Sequence, residues 1–403
     1  MMKKLLALAL ALAVCLGLAA CGASSGSAAP RHTQEPVHKI GVIVYNTGDD
    51  EVISFREYLQ GYIEDNFEMV RFIYSDSIQN AEQELAFIQK ACDDGVEGFM
   101  SFLSHDLRAE VALCEKNQAY YMLASGTVAD EDFDAVASNP WFLGMFGPGR
   151  AFEFQAGADM ARFFAEQDYG KRYFILSGGA SMGNEMHYQR TLGILNAFAA
   201  RYGVSFSQSR EELARSAEPA TVTVDGLSVT ICPGYVSRES YLENAKKCFS
   251  EGAYDAVLSV LPPAGMAEAI GSTPLGVVDA YHTRNLQLFS NGPLQFVIGK
   301  YSAMVGPAFA LMLNAVTGYA DDFRSNGKAV RVTQVFWTSE SAEDYVAKYT
   351  LATSASRNAY SFDDLSRVIK IYNPDADLAE LVALAEACSY FAVEARRSIR
   401  PGQ

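Results

Sequence analysis

The residues most typical of an enzyme lie in the pentapeptide GASMG, residues 179–183, which has the form G-x-S-x-G. In hydrolases this pattern places a serine nucleophile between a strand and a helix, with an acid and a histidine further along the chain. Ser181, Asp279 and His282 occur in that order. However, the loop SGGASMGNE is long for a nucleophile turn, and Asp279 and His282 are close in sequence for a separate acid and base. A serine esterase acting through Ser181 is therefore the less favoured hypothesis.

Other signals of catalysis are absent from the sequence. It contains no H-E-x-x-H zinc motif and no G-x-x-x-x-G-K-[ST] phosphate-binding loop. Histidine occurs at positions 32, 38, 105, 187 and 282, without the spacing of metal ligands. We therefore expect no catalytic residue, no metal and no cofactor, and we interpret His105 and His187 as surface residues.

The N-terminus has the layout of a secretory signal, with Lys3 and Lys4 before the apolar residues 5–18. The sequence Leu-Ala-Ala-Cys ending at Cys21 resembles the lipobox of bacterial lipoproteins, in which the cysteine is acylated. We predict a signal peptide over 1–20, lipidation of Cys21 and a flexible tether over 21–37. The protein would then lie on the extracytoplasmic face of the cell membrane; the alternative is plain secretion with an incidental cysteine.

Composition excludes several classes of partner. The net charge of −16 disfavours nucleic acid as a partner, and a content of 49% hydrophobic and 20% charged residues is typical of a globular chain.

A length of 403 residues favours two domains. The most apolar later segment, residues 301–316, is interrupted by Gly306, Pro307 and Asn314, so no membrane helix is predicted there. We expect a monomer.

Five cysteines follow the predicted lipidation site: Cys92, Cys114, Cys232, Cys248 and Cys388. An odd number cannot be fully paired within one chain, and their spacing matches no metal template. Buried free thiols are the preferred interpretation. A disulfide between Cys232 and Cys248 stays open.

The elements that must position any site alternate along the chain. Short β-branched runs typical of strands buried on both faces are separated by helical patterns. The predicted strands cover 39–45, 70–74, 98–102, 119–123, 172–176, 220–231, 255–260, 276–279, 294–298 and 330–337. A break rich in proline, glycine and aromatic residues at 138–150 separates two series, and helices are predicted over 341–403. The pattern predicts an α/β protein with parallel sheets.

Four stretches in this order resemble the type I periplasmic-binding proteins of the ribose/galactose kind, the solute receptors of ABC importers. They are KIGVIVYNTGDDEVISFREYLQG, FLGMFGPGRAFEFQAGADMARFFAEQ, ILSGGASMGNEMHYQRTLGILNAF and DAVLSVLPPAGMAEAI followed by GVVDAY. The resemblance covers about residues 39–337. It implies two Rossmann-like lobes joined by a hinge, with lobe one at 38–146 and 282–327 and lobe two at 147–281 and 328–340. The helices over 341–403 would form a C-terminal extension.

The resemblance also implies a solute-binding cleft at the carboxyl ends of the strands, where open parallel sheets bind ligands. The residues carried over as ligand contacts are Tyr45, Asn46, Asp49, Asp50, Ser104, Ser125, Asn184, Arg190, Asp279 and Tyr281. Several have a structural alternative, since Asp49 and Asp50 suit a turn, Asn184 suits a helix cap and Tyr45 suits the core.

The sequence departs from the sugar receptors at three polar positions. The sugar receptors carry an Asp-Arg pair after the fourth strand, where this sequence reads MLASGT and retains only Ser125. Their Asn-Asp pair is replaced by Leu261-Pro262-Pro263, and their amide after LQFVI by Gly299. Ribose and glucose are therefore doubtful solutes. We expect capture of a small polar solute, sugar-like or nucleoside-like, for an ABC permease. The same fold serving as a sensor for a membrane kinase or chemoreceptor is the alternative.

Overall fold

Alternating strands and helices build two separate sheets in this chain. The computed structural model describes residues 37–178, 185–234, 239–353 and 358–398. The strands are β1 (His38–Val44), β2 (Val70–Ser77), β3 (Gly98–Ser101), β4 (Tyr120–Leu123), β5 (Phe142–Gly147), β6 (Arg172–Ser177), β7 (Ala220–Val224), β8 (Leu227–Pro233), β9 (Ala256–Ser259), β10 (Leu275–Ala280), β11 (Leu294–Lys300), β12 (Val330–Thr333) and β13 (Trp337–Ser339).

Within these ranges the first sheet has six strands, in the order β12-β5-β4-β3-β1-β2. The second has seven, in the order β13-β11-β10-β9-β6-β8-β7. Neighbouring strands run parallel, except where β7 pairs with β8 and β13 pairs with β11. The last five residues of β1, which lies between β3 and β2, are all buried, as is typical of a parallel strand covered on both faces.

Helices connect the strands and form the C-terminal part of the chain. They are α1 (Asp50–Tyr58), α2 (Ala81–Asp93), α3 (Leu107–Asn117), α4 (Asp130–Val136), α5 (Arg150–Glu166), α6 (Glu185–Tyr202), α7 (Arg210–Ala214), α8 (Glu239–Ser250), α9 (Ala267–Ile270), α10 (Thr283–Asn291), α11 (Gly306–Asn314), α12 (Ala342–Thr353), α13 (Phe362–Ser366), α14 (Leu378–Glu386) and α15 (Tyr390–Ser398). The predicted two-lobed α/β class and the helical C-terminal part are confirmed.

The chain crosses between the two lobes at points that differ from the prediction. Residues 282–327 were assigned to lobe one, but β11 pairs with β10 in the second sheet. Residues 328–340 were assigned to lobe two, but β12 pairs with β5 in the first sheet. The assignments are therefore wrong for β11 and for β12, whereas β13 does pair within the second sheet. A short apolar strand carries no local signal of which distant strand it will pair with.

A long apolar helical segment lies inside the protein. Among the described residues, Ser302–Phe323 is long and apolar enough to cross a membrane, but 78% of its apolar window is buried inside the protein. Every residue of its central helix α11 is buried, and Gly318 interrupts the segment with a φ of 94°. These properties are those of a core helix.

Helices α5 and α6 of the second lobe approach each other closely through two glycines. A Cβ atom at Gly157 would lie 1.9 Å from the carbonyl oxygen of Arg190, and one at Gly193 would lie 2.0 Å from that of Phe154. Only glycine leaves room for these backbone contacts. The close packing therefore fixes the position of the helix that carries Arg190.

The C-terminal extension packs on both lobes. In the first lobe, the Tyr58 hydroxyl donates to the carbonyl of Tyr360 at 3.0 Å. In the second lobe, the Tyr345 hydroxyl accepts from the N–H of His282 at 2.9 Å and donates to its carbonyl at 3.0 Å. The Tyr345 ring also stacks on Tyr281, with centroids 4.8 Å apart. The extension thus contacts Tyr281 and His282, which follow Asp279 closely in the sequence.

Candidate functional site

A polar cleft of about 1160 Å³ lies between the two sheets. The first lobe lines it with the loops that follow β1, β3 and β4, and the second lobe with the ends of β9, β10 and β11 and the start of α6. These are the carboxyl ends of parallel strands, where open α/β sheets place their ligands. The volume lies slightly above the ~300–1,000 Å³ usual for small-molecule sites.

The loop after β1 presents Asp49 to the cleft. Asp49 caps α1, because its side chain accepts a hydrogen bond from the N–H of Glu51 at 2.9 Å. The same carboxylate oxygen accepts from the Tyr45 hydroxyl at 3.0 Å. Burial, followed by the negative charges of Glu51 and Asp279, raises the pKa of Asp49 to about 6. Asp49 therefore caps α1 and also lines the cleft.

The loop after β3 is held by two buried glutamates beneath the cleft wall. The Ser104 hydroxyl donates to Glu110 at 2.6 Å, and the backbone N–H of His105 donates to Glu110 at 3.0 Å. The His105 ring contacts Glu84 at 2.8 Å. Burial, together with the charge of Glu84, raises the pKa of Glu110 to about 7. Ser104 lines the cleft, but its hydroxyl is committed to this cluster.

Arg190 projects from α6 into the cleft wall and is bound to its own lobe. Its Nε donates to Glu153 at 2.5 Å, and its Nη1 donates to the carbonyl of Val260 at 2.8 Å. Both charged side chains are buried, at 7% and 0% exposure. The guanidinium is therefore held in one orientation by α5 and β9, as a ligand-binding arginine needs to be.

Asp279, at the end of β10, has one carboxylate oxygen engaged and the other not. Its Oδ2 accepts from Asn285 at 2.9 Å and contacts His282 Nε2 at 3.0 Å. Its Oδ1 is buried and has no hydrogen-bond partner among the described residues. Burial lowers the pKa of His282, but the Asp279 carboxylate and the charges of Asp50 and Asp49 raise it, and the net shift of the pKa is upward. A buried carboxylate oxygen without a donor is the property expected of a ligand contact.

Two ion pairs connect the lobes at the edge of the cleft. Lys300, at the end of β11, donates to Glu51 of α1 at 3.0 Å and to the carbonyl of Ser125 at 3.2 Å. Lys300 and Glu51 are 4% and 13% exposed, respectively. The more exposed Arg284 of α10 contacts Asp50 of α1 at 3.1 Å. The two lobes are thus joined by charged side chains as well as by the chain crossings.

The structure brings most of the predicted site residues to one cleft. Those that line it are Tyr45, Asn46, Asp49, Asp50, Ser104, Arg190 and Asp279. Ser125 does not line the cleft, and it contributes its carbonyl to Lys300 while its side chain is buried. Asn184, Ser181 and Cys21 lie outside the described residues.

The prediction for Tyr281 is not supported by its position. Its side chain is fully buried and packs against Tyr345 and Trp337, and its hydroxyl lies 2.9 Å from Ser339. The strand β10 ends at Ala280, and the chain then turns beneath the C-terminal extension. A large ring there covers more apolar surface in the core than it would in the polar cleft.

Several lining residues were missed by sequence reasoning. Lys300 directly follows Gly299, the position at which the sugar receptors carry an amide. A Cβ at Gly299 would lie 1.6 Å from the carbonyl oxygen of Asp279, so the close approach of β10 and β11 requires glycine there. His187, interpreted as a surface residue, is 7% exposed and lines the cleft. Burial and the positive charge of Arg190 lower the pKa of His187, which keeps the ring neutral.

A signal for His187 was present in the sequence. It precedes Arg190 by three residues, so on a helix the two side chains share a face. No comparable signal existed for Lys300 and Glu51, which are 249 positions apart.

Comparison with solved structures shows the fold of the type I periplasmic-binding proteins. A Mycobacterium smegmatis protein in complex with β-D-fucofuranose superposes with a TM-score of 0.57 at 13% identity, over 79% of this chain and 98% of that one. The binding component of the arabinose ABC transporter of Shewanella sp. ANA-3 gives 0.56 at 12% identity, over 79% and 96%. A Bacillus halodurans ABC transporter solute-binding protein with myo-inositol gives 0.55 at 15%, over 79% and 99%.

No family model matches the sequence, and no curated protein matches it. At these identities the structural likeness establishes the two-lobed fold. The solute and the partner of this chain must be argued from its own residues.

Proposed function

We propose that this chain is a lipid-anchored solute-binding protein on the extracytoplasmic face of the membrane. It captures a small polar solute, sugar-like or nucleoside-like, between its lobes and delivers it to an ABC importer. The observation that carries the proposal is the buried, partnerless Oδ1 of Asp279 in a polar cleft at the carboxyl ends of two sheets. The neighbours of known structure bind sugars and a cyclitol in the same fold.

The cleft suits capture because its polar groups are held in place before a solute arrives. Glu153 orients Arg190, and Asn285 with His282 orients Asp279. Groups fixed in this way lose little side-chain freedom on binding, which favours affinity. Closure of two lobes over the solute would remove it from water and allow each hydrogen bond to contribute about 0.5–1.5 kcal/mol.

The location rests on the N-terminal sequence, where a basic, apolar and small-residue pattern ends at Cys21. A lipid anchor on Cys21 predicts that the protein partitions into detergent and incorporates a clickable fatty acid when expressed in bacteria. Cys21→Ser is expected to abolish both. Labelling that persists in Cys21→Ser would contradict the anchor.

The esterase hypothesis receives little support from the geometry of His282. Its Nε2 faces Asp279, and its Nδ1 accepts from the N–H of Asn285 at 3.4 Å. Both ring nitrogens are therefore engaged, and the ring is buried. A general base needs one nitrogen directed at the nucleophile. Hydrolysis of p-nitrophenyl acetate that is lost in Ser181→Ala would reverse this argument.

A sensor role for the same fold is distinguished from transport by the partner. Solute-dependent co-purification with an ABC permease supports transport, whereas solute-dependent binding to a membrane kinase or chemoreceptor supports sensing.

The binding proposal is tested by a thermal-shift screen of the purified protein against sugars, sugar acids, nucleosides, amino acids and short peptides. A solute at 100 times its Kd adds about 2.7 kcal/mol to the free energy of unfolding, a clear shift in Tm. The shift should disappear in Asp279→Ala and persist in Asp65→Ala, a matched change at an exposed carboxylate. A cooperative melt that no compound shifts would count against solute capture.

A further inference from the structure

The positive charges that line the cleft are already neutralised by carboxylates. Each lining lysine and arginine contacts an acidic side chain, within the described part of the chain. The pairs are Arg190 with Glu153 at 2.5 Å, Arg284 with Asp50 at 3.1 Å and Lys300 with Glu51 at 3.0 Å. None of these cations is free to neutralise an additional anion in the cleft.

Most of the acidic side chains that line the cleft are also engaged. Apart from Asp50 and Glu51, those at its edges have partners on their own lobe. Glu185 contacts Arg150 at 2.7 Å, Asp132 contacts Arg108 at 3.5 Å and Asp106 caps α3. This leaves Asp49 from the first lobe and Asp279 from the second, neither of which forms an ion pair with a lysine or arginine of the described chain.

Asp49 and Asp279 act on each other electrostatically. The charge of Asp279 contributes to the raised pKa of Asp49, after burial and the charge of Glu51. Asp279 is 5% exposed, and its Oδ1 has no donor among the described residues. His282 faces Oδ2 of Asp279 with its Nε2 while its Nδ1 accepts from the N–H of Asn285, so it gives Asp279 a hydrogen bond and not a full positive charge. The cleft therefore retains an excess of negative charge and a buried acceptor.

We propose that the solute carries a protonated amine, bound by Asp49 and Asp279, on a polyhydroxylated skeleton of the amino-sugar or aminocyclitol class. This rests on the proposed function and refines it. An ammonium group has three donors and no acceptor, and it brings the positive charge that the cleft lacks. A neutral sugar of the same shape would satisfy the acceptors but leave the charge of Asp49 uncompensated on closure.

The test uses probes that share a pyranose skeleton and carry an ammonium, a hydroxyl or an acetamide group at C2. D-glucosamine is compared with D-glucose and N-acetyl-D-glucosamine, and D-galactosamine with its neutral and acetylated counterparts, by calorimetry on the full-length protein at pH 7. We expect an amine to bind at least about tenfold more tightly than its neutral partner, because charge-assisted hydrogen bonds are about twice as strong as neutral ones. Acetylation should remove the advantage.

Two conservative variants locate the effect. Asp279→Asn and Asp49→Asn each keep the shape of the side chain and remove its charge, so each should reduce the preference for the amine. Asp65→Asn, at an exposed position in the short helix Glu64–Asn66, is the matched control and should leave the preference for the amine unchanged.

The outcomes separate this inference from the proposed function. Equal or tighter binding of the neutral sugars overturns the amine assignment and leaves solute capture intact. An amine preference that survives both Asn variants also overturns it. Failure of every amine and neutral probe to bind counts against the amine assignment, and a hit in the wider thermal-shift screen would then preserve solute capture alone.

Discussion

Lys300 is the clearest place to test the charge arrangement between the lobes. Its ammonium contacts Glu51 and the carbonyl of Ser125, and its side chain is 4% exposed. Lys300→Met keeps the length of the side chain and leaves a buried carboxylate without a cation. Removing one partner of a buried ion pair typically lowers the free energy of unfolding by about 3–5 kcal/mol. The double variant with Glu51→Gln should recover a substantial part of that loss.

The measurement is urea denaturation followed by circular dichroism for the wild type, both single variants and the double variant. A double-mutant cycle isolates the interaction between the two side chains. Lys247→Met, in a pair with Glu251 in which both side chains are mostly exposed, is the control and should leave stability unchanged. A loss of less than about 1 kcal/mol in Lys300→Met, or a double variant no more stable than Lys300→Met, would show that Lys300 does not compensate a buried charge on Glu51.

Three further predictions concern the packing and titration of the cleft. Because the folded-state pKa of Asp49 is raised from 3.8 to about 6, the folded state binds this proton more tightly. Stability should therefore fall as pH rises from about 3 to about 7, by about 3 kcal/mol more in wild type than in Asp49→Asn, as measured by urea titrations across pH. Gly157→Ala would place a methyl group against the carbonyl of Arg190, so we expect a loss of about 1–3 kcal/mol and a lower Tm; an unchanged Tm would show that α5 and α6 can separate. Tyr345→Phe leaves the backbone groups of His282 without their partner, which should lower stability by about 1–3 kcal/mol in thermal unfolding. Wild-type stability in that variant would mean that the extension does not support the site.

The α/β class and most of the cleft could be predicted because their signals are local. β1 reads as a continuous apolar run, and the polar residues that follow it, such as Asp49, fall at the strand end where ligands bind. The same logic placed Asp279 at the end of β10. A sequence pattern is sufficient for such residues, since strand and loop are adjacent in the chain.

The features that could not be predicted depend on contacts between distant segments. The pairing of β12 with β5 and of β11 with β10 decides which lobe each strand joins, and nothing in the strands themselves encodes it. Tyr281 was placed in the cleft because its sequence neighbour lies there, but the C-terminal extension provides an apolar partner for the ring. The partner of Arg190 is likewise on another helix.

The most direct test of solute capture is a crystal structure of the protein with the tightest compound from the thermal-shift screen. We predict that the solute lies between the two sheets and donates a hydrogen bond to Oδ1 of Asp279, with Arg190 in contact. A solute bound outside the cleft, or bound within it without touching Asp279, would show that this cleft is not the solute-binding site.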